Sequence, residues 1–172
     1  MSDTPASLPL GAARVAIVGS GPLADEVARN LGLAGIPVAV HRPPDFWKTL
    51  RLAELQDCYC AVAAGADAEA RRRLNRLCQV ASVDFVSVAL VGQGLVVESY
   101  PFGSDNDCAC LGCEAPLAAA DEASLAPDPI TASIAGALAA ATALQCASHG
   151  ARRLSLAEPT DAGAVVALRR RD

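Results

Sequence analysis

The sequence lacks an apolar run of the ~18–20 residues that a membrane-spanning helix requires. The nearest candidate, residues 131–147, is rich in alanine and bounded by polar residues. The N-terminal residues also lack the basic segment followed by a hydrophobic one that marks a secretory signal. We therefore expect a cytoplasmic protein without a membrane partner.

Positive charge is scarce as well. The chain has 14 Lys and Arg against 19 Asp and Glu, a formal net charge of -5, and Lys48 is its only lysine. Such a chain lacks the basic surface that attracts nucleic acid, so no nucleic-acid partner is expected. Hydrophobic residues make up 52% and charged residues 19%, which argues against disorder. The sequence predicts a flexible N-terminus over residues 1–13 and a single domain over residues 14–172.

Short apolar runs alternate with amphipathic segments along the chain. Residues 14–18 are almost continuously apolar, as in a parallel strand buried on both faces. The next segment places Leu23, Val27 and Leu31 on one side of a helix. Strands that alternate with helices predict an α/β fold with a mostly parallel central sheet flanked by helices. Residues 151–171 are predicted to close it as a C-terminal antiparallel hairpin.

The turn Gly19-Ser20-Gly21 joins the first strand to the first helix, with Ala24 at the third position of a GxGxxG-like pattern. Glycines at such a turn let backbone N–H groups and the helix N-terminus face an anion. The pattern alone leaves two interpretations open, a phosphate-binding turn or a turn that only joins strand to helix.

The chain has seven cysteines. An odd number without a secretory signal indicates reduced thiols or metal ligands rather than a disulfide framework. Cys108, Cys110 and Cys113 could bind zinc with Cys146 or His149 as the fourth ligand, or they could be three reduced cysteines of a loop. The cysteines on predicted strands and helices are interpreted as small buried hydrophobic residues: Cys58, Cys60, Cys78 and Cys146.

The Cys110 and Cys113 pair follows a turn and a strand, and a helix of small residues comes directly after it. In this order, after a GxGxxG-like strand, these features resemble the ThiF/MoeB family, the bacterial relatives of ubiquitin-activating enzymes, over nearly the whole chain. The resemblance implies a Rossmann-like domain that binds ATP and adenylates the C-terminal glycine of a ubiquitin-like sulfur-carrier protein. It also implies a homodimer whose two-fold contact involves the small residues of this helix: Ala135, Gly136, Ala139 and Ala140.

The resemblance also assigns roles to individual residues. By resemblance, Gly19, Ser20, Gly21 and Asn75 are nucleotide-binding candidates. The family's phosphate-binding lysine is not recognisable, so the available cations Arg42, Lys48 and Arg51 are added as candidates. Asp67 and Arg71 are the candidates for catalysis, and Arg71 is expected near the nucleotide phosphates. The other arginines of the run that begins at Arg71 are interpreted as a solvated helix face.

The chain departs from the family at two positions. His41 and Arg42 stand where the family has an acidic residue that holds the ribose hydroxyls, and an arginine there suits a phosphate better. Ala66 matches the family's magnesium-binding aspartate, with Asp67 one residue later. Because Mg²⁺ and cations stabilise the charge on a transferred phosphate, these changes argue against Mg²⁺ binding and against efficient adenylation.

The hypothesis is therefore a ThiF-like protein that has lost adenylation and acts as a binding or partner subunit in a biosynthetic or sulfur-carrier pathway. One alternative is a minimal, active ATP-dependent adenylyltransferase for a ubiquitin-like carrier. Another is an NAD(P)-binding Rossmann protein.

Overall fold

The structure is a computed structural model that describes residues 14–42, 50–91, 94–103, 127–147 and 166–170. Several candidate residues of the sequence lie outside these ranges: Lys48, Cys108, Cys110, Cys113 and His149. The zinc site and the role of Lys48 therefore stay predictions, as does the flexible N-terminus.

The described residues form strands and helices in alternation. The strands are β1 (Val15–Val18), β2 (Val38–His41), β3 (Cys60–Ala64), β4 (Asp84–Val91), β5 (Gly94–Tyr100) and β6 (Val166–Arg170). The helices are α1 (Gly21–Leu33), α2 (Leu52–Gln56), α3 (Ala68–Ala81) and α4 (Pro129–Ala147). The first strand and the first helix lie where the sequence predicts them.

The strands form one sheet in the order β2-β1-β3-β4-β5-β6. All neighbouring pairs are parallel except β4 and β5, which are antiparallel. The predicted α/β class with a mostly parallel sheet is confirmed.

The C-terminal antiparallel hairpin predicted over residues 151–171 lies mostly outside the described residues, so it stays a prediction. The one described strand of that segment, β6, pairs with β5 in parallel, and the antiparallel pair among the described strands is β4 with β5. A short apolar run predicts a strand but not the direction of its partner, because that direction depends on the path of the connecting chain.

Helices cover both faces of the sheet, which explains why β1 and β3 are buried at every position. On one face, α1 and α4 pack against Val15, Ile17 and Val62 in one core cluster. On the other face, α2 and α3 pack with Ala16 and Phe85 in a second cluster. The molecule is a three-layer α/β/α arrangement, the architecture expected when parallel strands read as continuous apolar runs.

The small residues of α4 allow it to lie close to α1 of the same chain. Ala135 and Ala139 are fully buried in the cluster that includes α1. A Cβ atom at Gly136 would lie 2.5 Å from the Glu26 Cβ, so only glycine fits there without a shift. These small residues thus pack α4 against α1 within one protomer, a role that the sequence did not predict.

Among the described helices, only α4 has the length and apolar composition that a membrane span would require, over Pro129–Cys146. A core helix meets the same criteria, and the inner side of α4 packs in the core.

Candidate functional site

Two glycine turns lie where the strand order reverses. β2 and β3 flank β1 on opposite sides, so the carboxyl ends of β1 and β3 form a topological switch point. In open α/β sheets, ligands bind in the crevice outside such a point. Gly19-Ser20-Gly21 follows β1 and Gly65 follows β3, which places both turns at this edge.

The two turns are in direct backbone contact. A Cβ atom at Gly19 would lie 1.6 Å from the carbonyl oxygen of Ala64, and one at Gly65 would lie 2.2 Å from that of Ser20. The Ser20 N–H donates a hydrogen bond to the Gly65 carbonyl oxygen at 3.3 Å. The Gly19 N–H donates to the His41 carbonyl oxygen at 3.0 Å. Gly19 and Ser20 therefore use their N–H groups to join the strands.

Gly21 differs from its neighbours because it faces open space. Its φ is +75°, and no heavy atom of the described residues lies within 4 Å of the position that a Cβ atom would take. Gly21 begins α1. The residue before it, Ser20, is exposed, and its side chain makes no capping hydrogen bond to the helix. The first N–H groups of an uncapped helix carry partial positive charge. This end of α1 has both the room and the polarity to receive an anion.

The end of β2 places a cation beside α1. His41 pairs in register with Val18, the last residue of β1, and Arg42 follows it. The Arg42 Nη2 lies 3.6 Å from the Asp25 Oδ1 in α1, and both side chains are exposed. Burial lowers the pKa of His41 from its ordinary value, although the Glu54 carboxylate opposes this. The lowered pKa favours the neutral form of His41, so Arg42 is the fixed positive charge at this strand end.

Asp67, a candidate for catalysis, caps α3. Its Oδ1 accepts a hydrogen bond from the Ala70 N–H at 2.7 Å, and Asp67 lies in extended backbone just before the helix. Asp is among the preferred N-cap residues, so its position before an amphipathic segment is a signal from which this role could have been predicted. Asp67 follows Gly65 by two residues and thus lies at the same edge as the glycine turns.

Arg51, a nucleotide-binding candidate, lies at the start of the short helix α2. Its side chain is exposed, and its backbone N–H donates to the Glu54 Oε2 at 2.9 Å. Glu54 is also the carboxylate that acts on His41. The Glu54 carboxylate thus interacts with both the Arg51 backbone N–H and the His41 side chain.

Arg71 and Asn75 lie elsewhere, on the buried side of α3. They are 4% and 1% exposed, and they are four residues apart, which places them on one side of the helix. Burial lowers the pKa of Arg71, while the negative charge of Glu98 and the proximity of Tyr100 oppose this. The Tyr100 hydroxyl donates to the Glu98 Oε2 at 3.2 Å. We refer to these residues, with Ser87 opposite Glu98 in the sheet, as the buried polar cluster: Arg71, Asn75, Ser87, Glu98 and Tyr100.

The structure thus separates the candidates into two groups. Gly19, Ser20, Gly21 and Arg42 gather at the tip of α1, whereas Arg71 and Asn75 belong to the buried polar cluster beside β5. In the sheet, β3 and β4 lie between β1 and β5. The remaining arginines of the run are exposed, as predicted: Arg72, Arg73 and Arg76.

The sequence analysis missed Glu98 and its part in the buried polar cluster. The signal that could have revealed it is a carboxylate within the apolar strand run "GLVVESY", because a buried charge needs a partner of opposite charge. That partner, Arg71, comes from a helix many residues earlier.

No protein-family model matches the chain, and no curated protein matches it either. Within the described ranges, no group of three or more His, Cys, Asp or Glu residues could hold a metal ion. The features that bear on function are therefore the tip of α1 and the residues that carry the resemblance.

Proposed function

We propose that this protein is a ThiF-like protein with a Rossmann-like fold, that it binds the phosphate of a nucleotide at the N-terminus of α1, and that it does not catalyse adenylation. One observation carries the proposal: Gly21 begins an uncapped helix at the switch point, with a positive φ and open space where a side chain would be. A phosphate at this position would accept hydrogen bonds from the helix N–H groups and meet the positive end of the helix dipole.

The charges around this position favour a phosphate over an uncharged ribose. Arg42 lies beside α1, where an acidic residue would be needed to accept hydrogen bonds from ribose hydroxyls. Its exposed pair with Asp25 is weak, since such pairs contribute about 0–1 kcal/mol, so a phosphate can compete for the guanidinium. Arg42 also favours the second candidate, an NADP-binding protein, because an arginine near the end of β2 accommodates a ribose phosphate.

The residues expected to activate ATP support a loss of adenylation. Asp67 uses one carboxylate oxygen to cap α3, and Ala66 offers no ligand for Mg²⁺. Arg71 lies in the buried polar cluster, where Glu98 balances its charge. A protein of this kind would act as a binding or partner subunit for a ubiquitin-like carrier or for a biosynthetic enzyme.

Gly21→Val is expected to weaken nucleotide binding about tenfold or more, because the branched side chain fills the space above the first N–H groups. Binding of ATP, AMP, NAD and NADP would be measured by calorimetry and thermal shift at two salt concentrations. We expect weak binding to the unmodified chain that falls as salt rises, because the contacts are exposed and charged.

Gly35→Val provides the matched control. Gly35 has φ +74° and open space around it, like Gly21, but it lies at the other end of α1. Both variants should lose a similar ~1–3 kcal/mol of stability from backbone strain, and only Gly21→Val should lose binding. Equal binding by the two variants would show that the turn is only a joint between β1 and α1.

Pyrophosphate exchange with ATP is expected to stay near background, alone and with candidate ubiquitin-like carriers. The matched variant is Asp67→Ser, because serine keeps the N-cap of α3 while it removes the carboxylate. Exchange well above background that Asp67→Ser abolishes would show that Asp67 has taken over metal binding. The minimal active enzyme would then be the correct interpretation.

We propose a homodimer through the outer side of α4. This helix carries no charged residue, and Ile130 and Ile134 on it are 73% and 48% exposed. Ile134→Glu should convert a dimer to a monomer in sedimentation experiments at micromolar concentration, because it places a charge in an apolar contact. Val80→Glu, on α3 at the other face of the sheet, should leave the dimer intact; a monomeric unmodified chain would contradict the proposal.

A further inference from the structure

The outer side of α3 concentrates positive charge on a chain that is acidic as a whole. Three arginines of this helix are exposed, and we refer to them as the basic face: Arg72, Arg73 and Arg76. Glu69 is the single acidic residue within the helix, and its Oε2 lies 3.5 Å from the Arg72 Nη2. Arg76 follows Arg72 by four residues and Arg73 by three, a spacing at which like charges on a helix repel. The basic face therefore favours a partner that supplies carboxylates.

A segment of the same chain has the complementary charge. Residues 104–126 lie outside the described residues, and they contain no lysine or arginine. Five of them are acidic: Asp105, Asp107, Glu114, Asp121 and Glu122. The first two acidic residues come two and four residues after Gly103, so their distance from the basic face depends on where Gly103 lies.

Gly103 lies beside the C-terminal end of α3. Phe102 is buried in the same core cluster as Leu74 of this helix. The Gly103 N–H donates to the Asp84 Oδ1 at 2.7 Å. A Cβ atom at Gly103 would lie 3.4 Å from the carbonyl oxygen of Ser82, the C-cap of α3. The chain therefore enters residues 104–126 from the side of the sheet that α3 covers.

We propose that residues 104–107 dock on the basic face through their two carboxylates. An α-helix rises ~1.5 Å per residue, so Arg76 lies roughly 9 Å along α3 from Ser82. An extended chain covers ~3.3 Å per residue, so Asp107 can lie up to about 13 Å from Gly103, which is enough to reach Arg76. Exposed ion pairs are weak one at a time, but so short a tether keeps the carboxylates at high local concentration.

Carboxylate labelling of the intact protein tests the proposal. A carbodiimide couples glycine ethyl ester to accessible carboxylates in a short pulse, and mass spectrometry of the peptides gives the rate at each Asp and Glu. In the Arg73→Gln/Arg76→Gln variant, Asp105 and Asp107 are expected to react about twofold or more faster than in the unmodified chain, because they lose the charges that hold them. Glutamine keeps the helix propensity of arginine, so α3 should remain folded. The unmodified chain should give the same rates at low and high protein concentration, because the pairing is intramolecular.

Arg29→Gln is the matched control. Arg29 is another exposed helical arginine, and its Nη2 lies 2.6 Å from the Glu26 Oε2 on α1, which covers the opposite face of the sheet. This variant should speed the labelling of Glu26 and leave Asp105 and Asp107 unchanged. Unchanged rates at both aspartates in the Arg73→Gln/Arg76→Gln variant would overturn the proposal. So would protection that appears only at high protein concentration, which would assign the basic face to a second copy of the chain.

Discussion

Gly19→Ala is expected to prevent folding or to lower the free energy of unfolding by about 3 kcal/mol or more. The added methyl group would lie 1.6 Å from the carbonyl oxygen of Ala64, well inside van der Waals contact. That oxygen belongs to the backbone of a fully buried strand, so the neighbour cannot rotate away. The cost must be met by separating the turns after β1 and β3, which breaks the Ser20 hydrogen bond to Gly65.

Gly32→Ala is the control for this prediction. Gly32 lies in α1, and apart from the backbone of its own helix no atom of the described residues lies within 4 Å of its Cβ position, so alanine meets no obstacle from them. Because alanine favours helix over glycine, this variant should be more stable by up to about 1 kcal/mol. Urea denaturation of the two variants measures both values. A Gly19→Ala protein of unchanged stability would show that the two turns do not touch.

Features that depend on local sequence were predictable. β1 and α1 follow from a continuous apolar run and from a period of 3.6 residues, and α1 ends near Gly35, whose φ of +74° few other residues adopt. The turn Gly19-Ser20-Gly21 was also recognisable, because glycines between a strand and a helix have few other roles. The pattern alone does not determine whether the turn binds an anion, so anion binding stays a prediction.

Features that depend on distant parts of the chain were not predictable. β6 lies parallel to β5, although its sequence is compatible with either direction. The small residues of α4 indicated a close helix contact, but only the fold shows that the partner is α1. Arg71 was a catalytic candidate because its spacing from Asn75 resembles that of the family, and Asp67 because it lies one residue after the position of the family's magnesium-binding aspartate. The cap that Asp67 gives to α3 is a local contact and could have been predicted, whereas the burial of Arg71 depends on where α3 lies on the sheet.

Removing the charge of Glu98 from the buried polar cluster is expected to destabilise the protein strongly. Arg71 and Glu98 are 4% and 8% exposed, and the Glu98 charge is the main electrostatic influence that keeps Arg71 charged against burial. Glu98→Gln keeps the size of the side chain but removes that charge, so a buried cation loses its main compensation. We expect a loss of about 3–5 kcal/mol, the usual cost of breaking a buried pair on one side.

A double-mutant cycle with Arg71→Met separates this charge effect from lost packing. Methionine removes the cation and keeps an apolar side chain of similar length, so Glu98→Gln should cost much less in the Arg71→Met background. The expected coupling is about 1–3 kcal/mol by urea denaturation. Arg72→Met, next to it on the exposed side of α3, should change stability by no more than ~0.5 kcal/mol. If the effects at Arg71 and Glu98 simply add, then Glu98 is not what stabilises the buried guanidinium, and other groups around Arg71 balance its charge.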